Sequence, residues 1–140
     1  MQHITQVDNT LWALISRLQG TELQTPYNPS NTRFRVVAVN ADDVRVVTGD
    51  NDSTVTLTRA AFQQTLDYLA SHRHFGEAHA VEIGSNKAPD SAGPLCHAAR
   101  RQPDGRPGTM VITYILPILE HCQAVGLQRD TKPTSTWLLP

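Results

Sequence analysis

Arg33-Phe34-Arg35-Val36-Val37-Ala38-Val39, then Val44-Arg45-Val46-Val47-Thr48, then Ser53-Thr54-Val55-Thr56-Leu57: these three short runs decide the class of fold. Each is rich in β-branched residues, which suit a pleated, half-buried surface. Between them lie Asn40-Ala41-Asp42-Asp43 and Gly49-Asp50-Asn51-Asp52, two clusters of turn formers. Short strands joined by tight turns predict an antiparallel meander of three strands. One face is expected to be apolar through Phe34, Val36, Val44, Val46, Val55 and Leu57. The doublets Val36-Val37 and Val46-Val47 blur the alternation and leave the register open.

The flanking segments read as helices. Downstream, Thr58 caps a helix over 59–72 whose stripe is Ala61, Phe62, Leu66 and Leu69, with Thr65 and Tyr68 at its edges. This helix must pack on the sheet, because neither element buries its apolar face alone. Upstream, residues 8–19 place Leu11, Leu14, Ile15 and Leu18 at helical spacing. Asp8 or Asn9 is the expected N-cap and Gly20 the expected stop. Residues 25–31, with two prolines, are a loop.

The second half is more helical. Ala78 to Ile83 reads equally as a short helix or a short strand, and 84–90 as a polar loop. Ser91 or Asp90 caps a helix over 92–101, with Pro94 in its first turn. After the breaker at 102–108, Thr109 opens a helix to about residue 125, apolar almost all round and therefore central. Pro117 is expected to kink it and Gly126 to end it. Leu127 to Pro140 suggests a hairpin turning at Lys132-Pro133. The apolar end, Thr136-Trp137-Leu138-Leu139-Pro140, implies either a docked last strand or a domain cut from a longer chain. The expected fold is therefore α+β: a three-stranded antiparallel meander packed by helices, with a winged-helix-like C-terminal half.

A chain of 140 residues suits a single domain, 1–140, and Met1 favours the N-terminal domain of something larger. With 39% hydrophobic and 18% charged residues it is too apolar for a disordered chain. Cys96 and Cys122 are too few for a disulfide framework. No apolar run reaches the ~20 residues of a membrane helix, and the first residues lack a signal-peptide pattern. The expectation is a cytoplasmic protein with free thiols and no membrane contact. Net charge is −1, but residues 1–84 hold six basic against nine acidic residues (−3), and residues 85–140 six against four (+2). An anionic partner is thus expected to meet the second half.

Three helices followed by a hairpin is the order of a winged helix, which reads DNA with one helix and rests its wing on the backbone. Lys87, Arg100, Arg101 and Arg106 flank the middle helix, and Arg129 and Lys132 fall on the expected wing. Ser85, Asn86 and Ser91 lie at a helix start, where amides bind phosphate. His97, with Arg100 and Arg101, is a candidate reader, as is Tyr114 on the last helix. The competing explanation for Arg100-Arg101 is a favourable charge at a helix C-terminus. Tyr27 and Trp137 are candidate stacking rings, although strand packing is the simpler use of Trp137.

Other chemistries find little support. His72, His74, His79, Cys96-His97 and His121-Cys122 lack the paired spacing of a zinc site, so no metal and no cofactor is expected. There is no G-x-S-x-G, H-E-x-x-H or P-loop, and no catalytic residue is assigned. An EF-type calcium loop starting at Asp50 fails because its twelfth position is Ala61.

From Leu18-Gln19-Gly20-Thr21 through Phe34-Arg35-Val36 to Arg59-Ala60-Ala61-Phe62, and again in Ile112-Thr113-Tyr114-Ile115-Leu116, the chain resembles small α+β accessory domains found with bacterial restriction nucleases. The resemblance is one of apolar and turn pattern over about half the chain. It implies a DNA-sensing module, for modified DNA among other targets, with a fused or associated nuclease as partner. It carries over no catalytic residue. The alternative expectation is a protein–protein interaction or oligomerisation module using the apolar C-terminus.

Overall fold

The computed structural model describes residues 4–25, 33–48, 54–82, 112–129 and 134–139. The meander is present: β2 (Arg33–Val39), β3 (Asp43–Thr48) and β4 (Thr54–Thr58) pair antiparallel in sequence order. A fourth strand, β1 (Glu22–Gln24), extends the sheet by pairing with β2, so the order is β1-β2-β3-β4. Three residues without a β-branched side chain gave β1 no signal in the sequence. Its position is set from outside, as the Gly20 amide donates to Val36 O at 2.6 Å and the Val36 amide to Thr21 O at 3.0 Å.

The register resolves the two valine doublets. Val36 opposes Val46, but Ala38 opposes Arg45, so Val37 is the extra residue of a bulge and is 40% exposed. That one insertion returns Val39 to the inner face, opposite Val44. Phe34, Val36, Val44, Val46 and Leu57 are all buried and Val55 half-buried. The β2–β3 turn is held by Asn40, whose side-chain oxygen accepts from the amides of Asp42 and Asp43, both at 2.9 Å.

Helix α1 (Asn9–Ser16) starts where Asp8 accepts from the Leu11 amide at 2.8 Å, and Gly20 beyond it takes φ +90°. Helix α2 (Arg59–Ser71) is capped by Thr58, which accepts from the Ala61 amide at 3.1 Å. Its buried stripe is the expected one plus Thr65, whose hydroxyl donates to Ala61 O within the helix at 2.8 Å. Trp12 meets Phe62 edge to face at 5.7 Å and donates Nε1–H to Asn40 O, tying α1 to both α2 and the meander. Arg59 lies over the Trp12 ring and donates to Val7 O at 2.9 Å.

The third described helix, α3 (Ile112–His121), buries Ile112, Ile115, Leu116, Pro117, Ile118 and Leu119. It is central, as its nearly continuous apolar surface requires. It touches β1 on one side and β6 on the other, while α2 touches β4 and β7. The helices are therefore a layer between two sheets. Gly126 does not end α3. The helix ends at His121, five residues earlier, and just beyond it Gln123 adopts φ +63°, the Ala124 amide bonds to Leu119 O at 2.9 Å and the Gln123 amide to Glu120 O at 3.0 Å. That paired closure is the Schellman motif, with glutamine where glycine is usual. α2 ends the same way: Arg73 has φ +59°, the His74 amide reaches Leu69 O and the Arg73 amide Ala70 O.

The second sheet runs β5-β7-β6, built from β5 (Val81–Glu82), β6 (Val125–Gln128) and β7 (Ser135–Leu138). The ambiguous stretch near residue 80 is both of its readings, a 3₁₀ turn at Glu77–His79 and then β5. The expected C-terminal hairpin exists as β6–β7, but it begins earlier, at Val125. Its tip, residues 130–133, lies outside the described residues. Val125, Thr136 and Leu138 are buried, and β7 lies between β5 and β6. The apolar end is thus a docked strand. The four-stranded meander, the helices and this sheet share one buried cluster from Val7 to Leu138. The helix expected over 92–101 and the turn at Lys132-Pro133 lie outside the described residues.

Two stability predictions follow from backbone and packing. Replacing Arg73 or Gln123 by glycine relieves the left-handed conformation and raises stability by about 1 kcal/mol each, read as a higher urea midpoint at unchanged slope. A lower midpoint for both variants would contradict the helix ends described. Gly126→Ala does the opposite, because a Cβ there overlaps the Trp137 indole. A loss of about 1–3 kcal/mol is expected, with a shift in tryptophan emission.

Candidate nucleic-acid interface

The alternation that turns Phe34, Val36, Val44 and Val46 inward turns Arg33, Arg35 and Arg45 outward. All three are exposed on the face of the meander that the helices do not cover. Thr54 and Thr56 on β4 continue this face, with Thr56 opposite Arg45 and Thr54 opposite Val47. Residues two apart on a strand are separated by about 7 Å, and diagonal cross-strand neighbours by about 7–8 Å. The three guanidinium groups therefore fan from a patch a few strands wide. Two acids share it. Glu22 meets Arg33 at 3.6 Å with both side chains more than half exposed, and Asp43 accepts from the Asn40 side-chain amide at 2.6 Å. Arg35 and Arg45 have no ion pair among the described residues. Sequence reasoning missed this patch because it counted charge along the chain, where the first half is acidic. The signal was present in the alternation Arg33-Phe34-Arg35-Val36.

Of the residues expected to contact DNA, Ser85, Asn86, Lys87, Ser91, His97, Arg100, Arg101, Arg106 and Lys132 lie outside the described residues. The other two have structural partners. Tyr114 is half-buried and meets Phe34 edge to face at 5.3 Å, and its burial raises the phenol pKa above the ordinary value. Arg129 is held by Glu120 at 2.5 Å and donates to Thr25 O at 2.8 Å and Gln24 O at 3.4 Å. It ties β6 to α3 and to the end of β1. Of the candidate stacking rings, Trp137 lies half-buried against Gly126, and Tyr27 is outside the described residues.

A second aromatic feature sits at the end of α2. Tyr68 and His72 stack at 4.1 Å, and His74 is nearly parallel to both at 5.9 and 6.2 Å. Nδ1 of His74 lies 2.8 Å from His79 O, so that nitrogen carries the proton and donates. Among the described residues no three His, Cys, Asp or Glu side chains gather as a metal site. An open groove of about 640 Å³ lies between the first residues and Phe75, lined by Ile4, Leu11, Leu14 and Asp8. Its one carboxylate, Asp8, already caps α1. Cys122 is buried beneath α3, and burial pushes its thiol up to about 11.

No family model matches this chain, and neither a curated protein nor a solved structure does so. Among the described residues no helix is long and apolar enough to cross a membrane.

These geometries separate structural from exposed side chains. Arg129→Ala is expected to lower stability by about 1–2 kcal/mol, the low end for charged hydrogen bonds because the pair is partly exposed. Arg35→Ala should leave the melting temperature within about 1 °C. Equal melting shifts for the two would refute the distinction. In a Cys96→Ser background, Cys122 should react with a disulfide reagent at pH 8 at least ten-fold more slowly than in urea. A thiol raised to about 11 is almost wholly protonated at that pH, and only the thiolate attacks.

Proposed function

We propose that this protein is a DNA-binding module and that the outer face of the four-stranded sheet is its principal contact. The observation that carries this reading is the placement of Arg33, Arg35 and Arg45 on one uncovered face, with Arg35 and Arg45 in no ion pair among the described residues although Glu22 stands opposite Arg35 on β1. Arginine forks match phosphate oxygens, and threonine hydroxyls such as those of Thr54 and Thr56 supplement them. A buried or paired set of the same three residues would carry no such reading. Lys87, Arg100, Arg101 and Arg106, close in the sequence, are a second candidate contact. The resemblance to accessory domains of bacterial restriction nucleases extends the proposal to a cytoplasmic recognition role in a defence or regulatory protein, with modified DNA as one target and a nuclease as partner. The competing role in protein association would use Trp137 and Leu139, which are half-buried, since Thr136 and Leu138 are buried.

The test is fluorescence anisotropy on a labelled duplex at low salt. Arg35→Ala/Arg45→Ala should weaken binding by at least ten-fold while circular dichroism remains native. The Lys87/Arg100/Arg101/Arg106 quadruple alanine variant should weaken it less. If the quadruple variant abolishes binding and the sheet variant matches wild type, the contact surface is the second basic group and the sheet assignment falls.

A further inference from the structure

We infer that the sheet face takes the sugar–phosphate backbone of duplex DNA and reads no base. This rests on the DNA-binding reading above and narrows it to a substrate class. Two features of the face support it. First, none of its described residues is aromatic. Reading outward from Glu22 and Gln24 through Arg33, Arg35, Arg45 and Thr56, the one large exposed apolar side chain is Val37 on its bulge. Sheets that hold single strands do so by stacking unpaired bases on aromatic side chains, and that stacking supplies much of the binding. Among the described residues of this face, a single strand has no ring on which to stack.

Second, the arginines stand on a broad sheet of four strands. Base edges in a duplex lie in a major groove about 12 Å wide, which admits an α-helix or a two-stranded ribbon. Four strands at about 4.8 Å spacing present a surface wider than that groove. Their side chains therefore meet the phosphate ridges that border it. Arginines about 7–8 Å apart then contact separate phosphates along a ridge, and contacts of that kind fix position without conveying sequence.

The face is small, and this sets the expected strength. Arg35 and Arg45 each neutralise one phosphate, and Arg33 a third when it leaves Glu22. Two or three neutralised phosphates give a log–log salt slope of about −2 to −3 on duplex. Affinity is then that of sequence-independent binding, at about 10⁻⁴ to 10⁻⁶ M in physiological salt. Any discrimination among sequences or base modifications has to come from residues elsewhere in the chain.

The experiment measures anisotropy of the full chain against four probes: two duplexes of unrelated sequence, a methylated duplex and a single strand of equal length, each over a salt series. The expected result is equal affinity for the three duplexes within about three-fold, a slope of about −2 to −3, and weaker binding of the single strand. Arg35→Ala and Arg45→Ala should each flatten the duplex slope by about one. A strong preference for one duplex that is lost in either variant would overturn the inference while leaving DNA binding intact, because the sheet face would then be reading the bases. So would tighter binding of the single strand. No binding of any probe at low salt by folded protein would overturn the DNA-binding reading itself.

Discussion

Burial of the inner face of the meander is the constraint on which the rest of the structure depends. Phe34, Val36, Val44, Val46 and Leu57 cannot be covered by the sheet that carries them. They require α2 and α3, and α3 is apolar on more than one side. α3 in particular has no polar stripe wide enough to face water, so a second layer has to cover its far side. The β5-β7-β6 sheet does this through Val125 and Leu138. The order of layers, sheet then helices then sheet, follows from which elements have one apolar face and which have two.

The sequence was informative where local chemistry and tertiary demand coincide. Thr58 and Asp8 are good caps and also mark where the chain must turn from strand or loop into a core-facing helix, and both cap as expected. The meander was legible for the same reason. Turn residues at Asn40 and beyond, β-branched runs and an alternating face agree with one another, and such agreement is what makes a segment specify one structure.

Legibility failed where a tertiary contact overrode the local signal. Glycine is the usual stop of a helix, so Gly126 looked like the end of α3. Its use is different. It lies in β6, where the absence of a Cβ admits the Trp137 ring from the neighbouring strand. The helix ends instead at His121, and just beyond it Gln123, a residue with no preference for positive φ, adopts it. The closure there is driven by the need to turn Val125 back into the core. β1 failed for a related reason. Glu22-Leu23-Gln24 has no β signature, and it is a strand because Gly20 and Thr21 exchange hydrogen bonds with Val36. Arg129 shows the same effect. Arg129 was assigned to solvent from its position in the chain, yet its partner Glu120 lies on a helix face that becomes its neighbour only after folding.

The same argument bears on function. Net charge along a chain describes long-range steering, whereas binding of phosphate is decided within about a Debye length, about 10 Å at moderate salt. On that scale the acidic first half is divided in two by the sheet. Asp42 lies in the turn between β2 and β3, where aspartate is favoured, while Asp43 opens β3 and is held by Asn40. Arginines remain on the strands, because only the outward positions of an alternating strand accept them. A meander with an apolar inner face and acidic turns thus sorts its own charges by position. The −3 of residues 1–84 and the exposed arginines of β2 and β3 are products of one folding pattern. The polar side of that pattern is where Arg35 and Arg45 stand exposed and in no ion pair among the described residues.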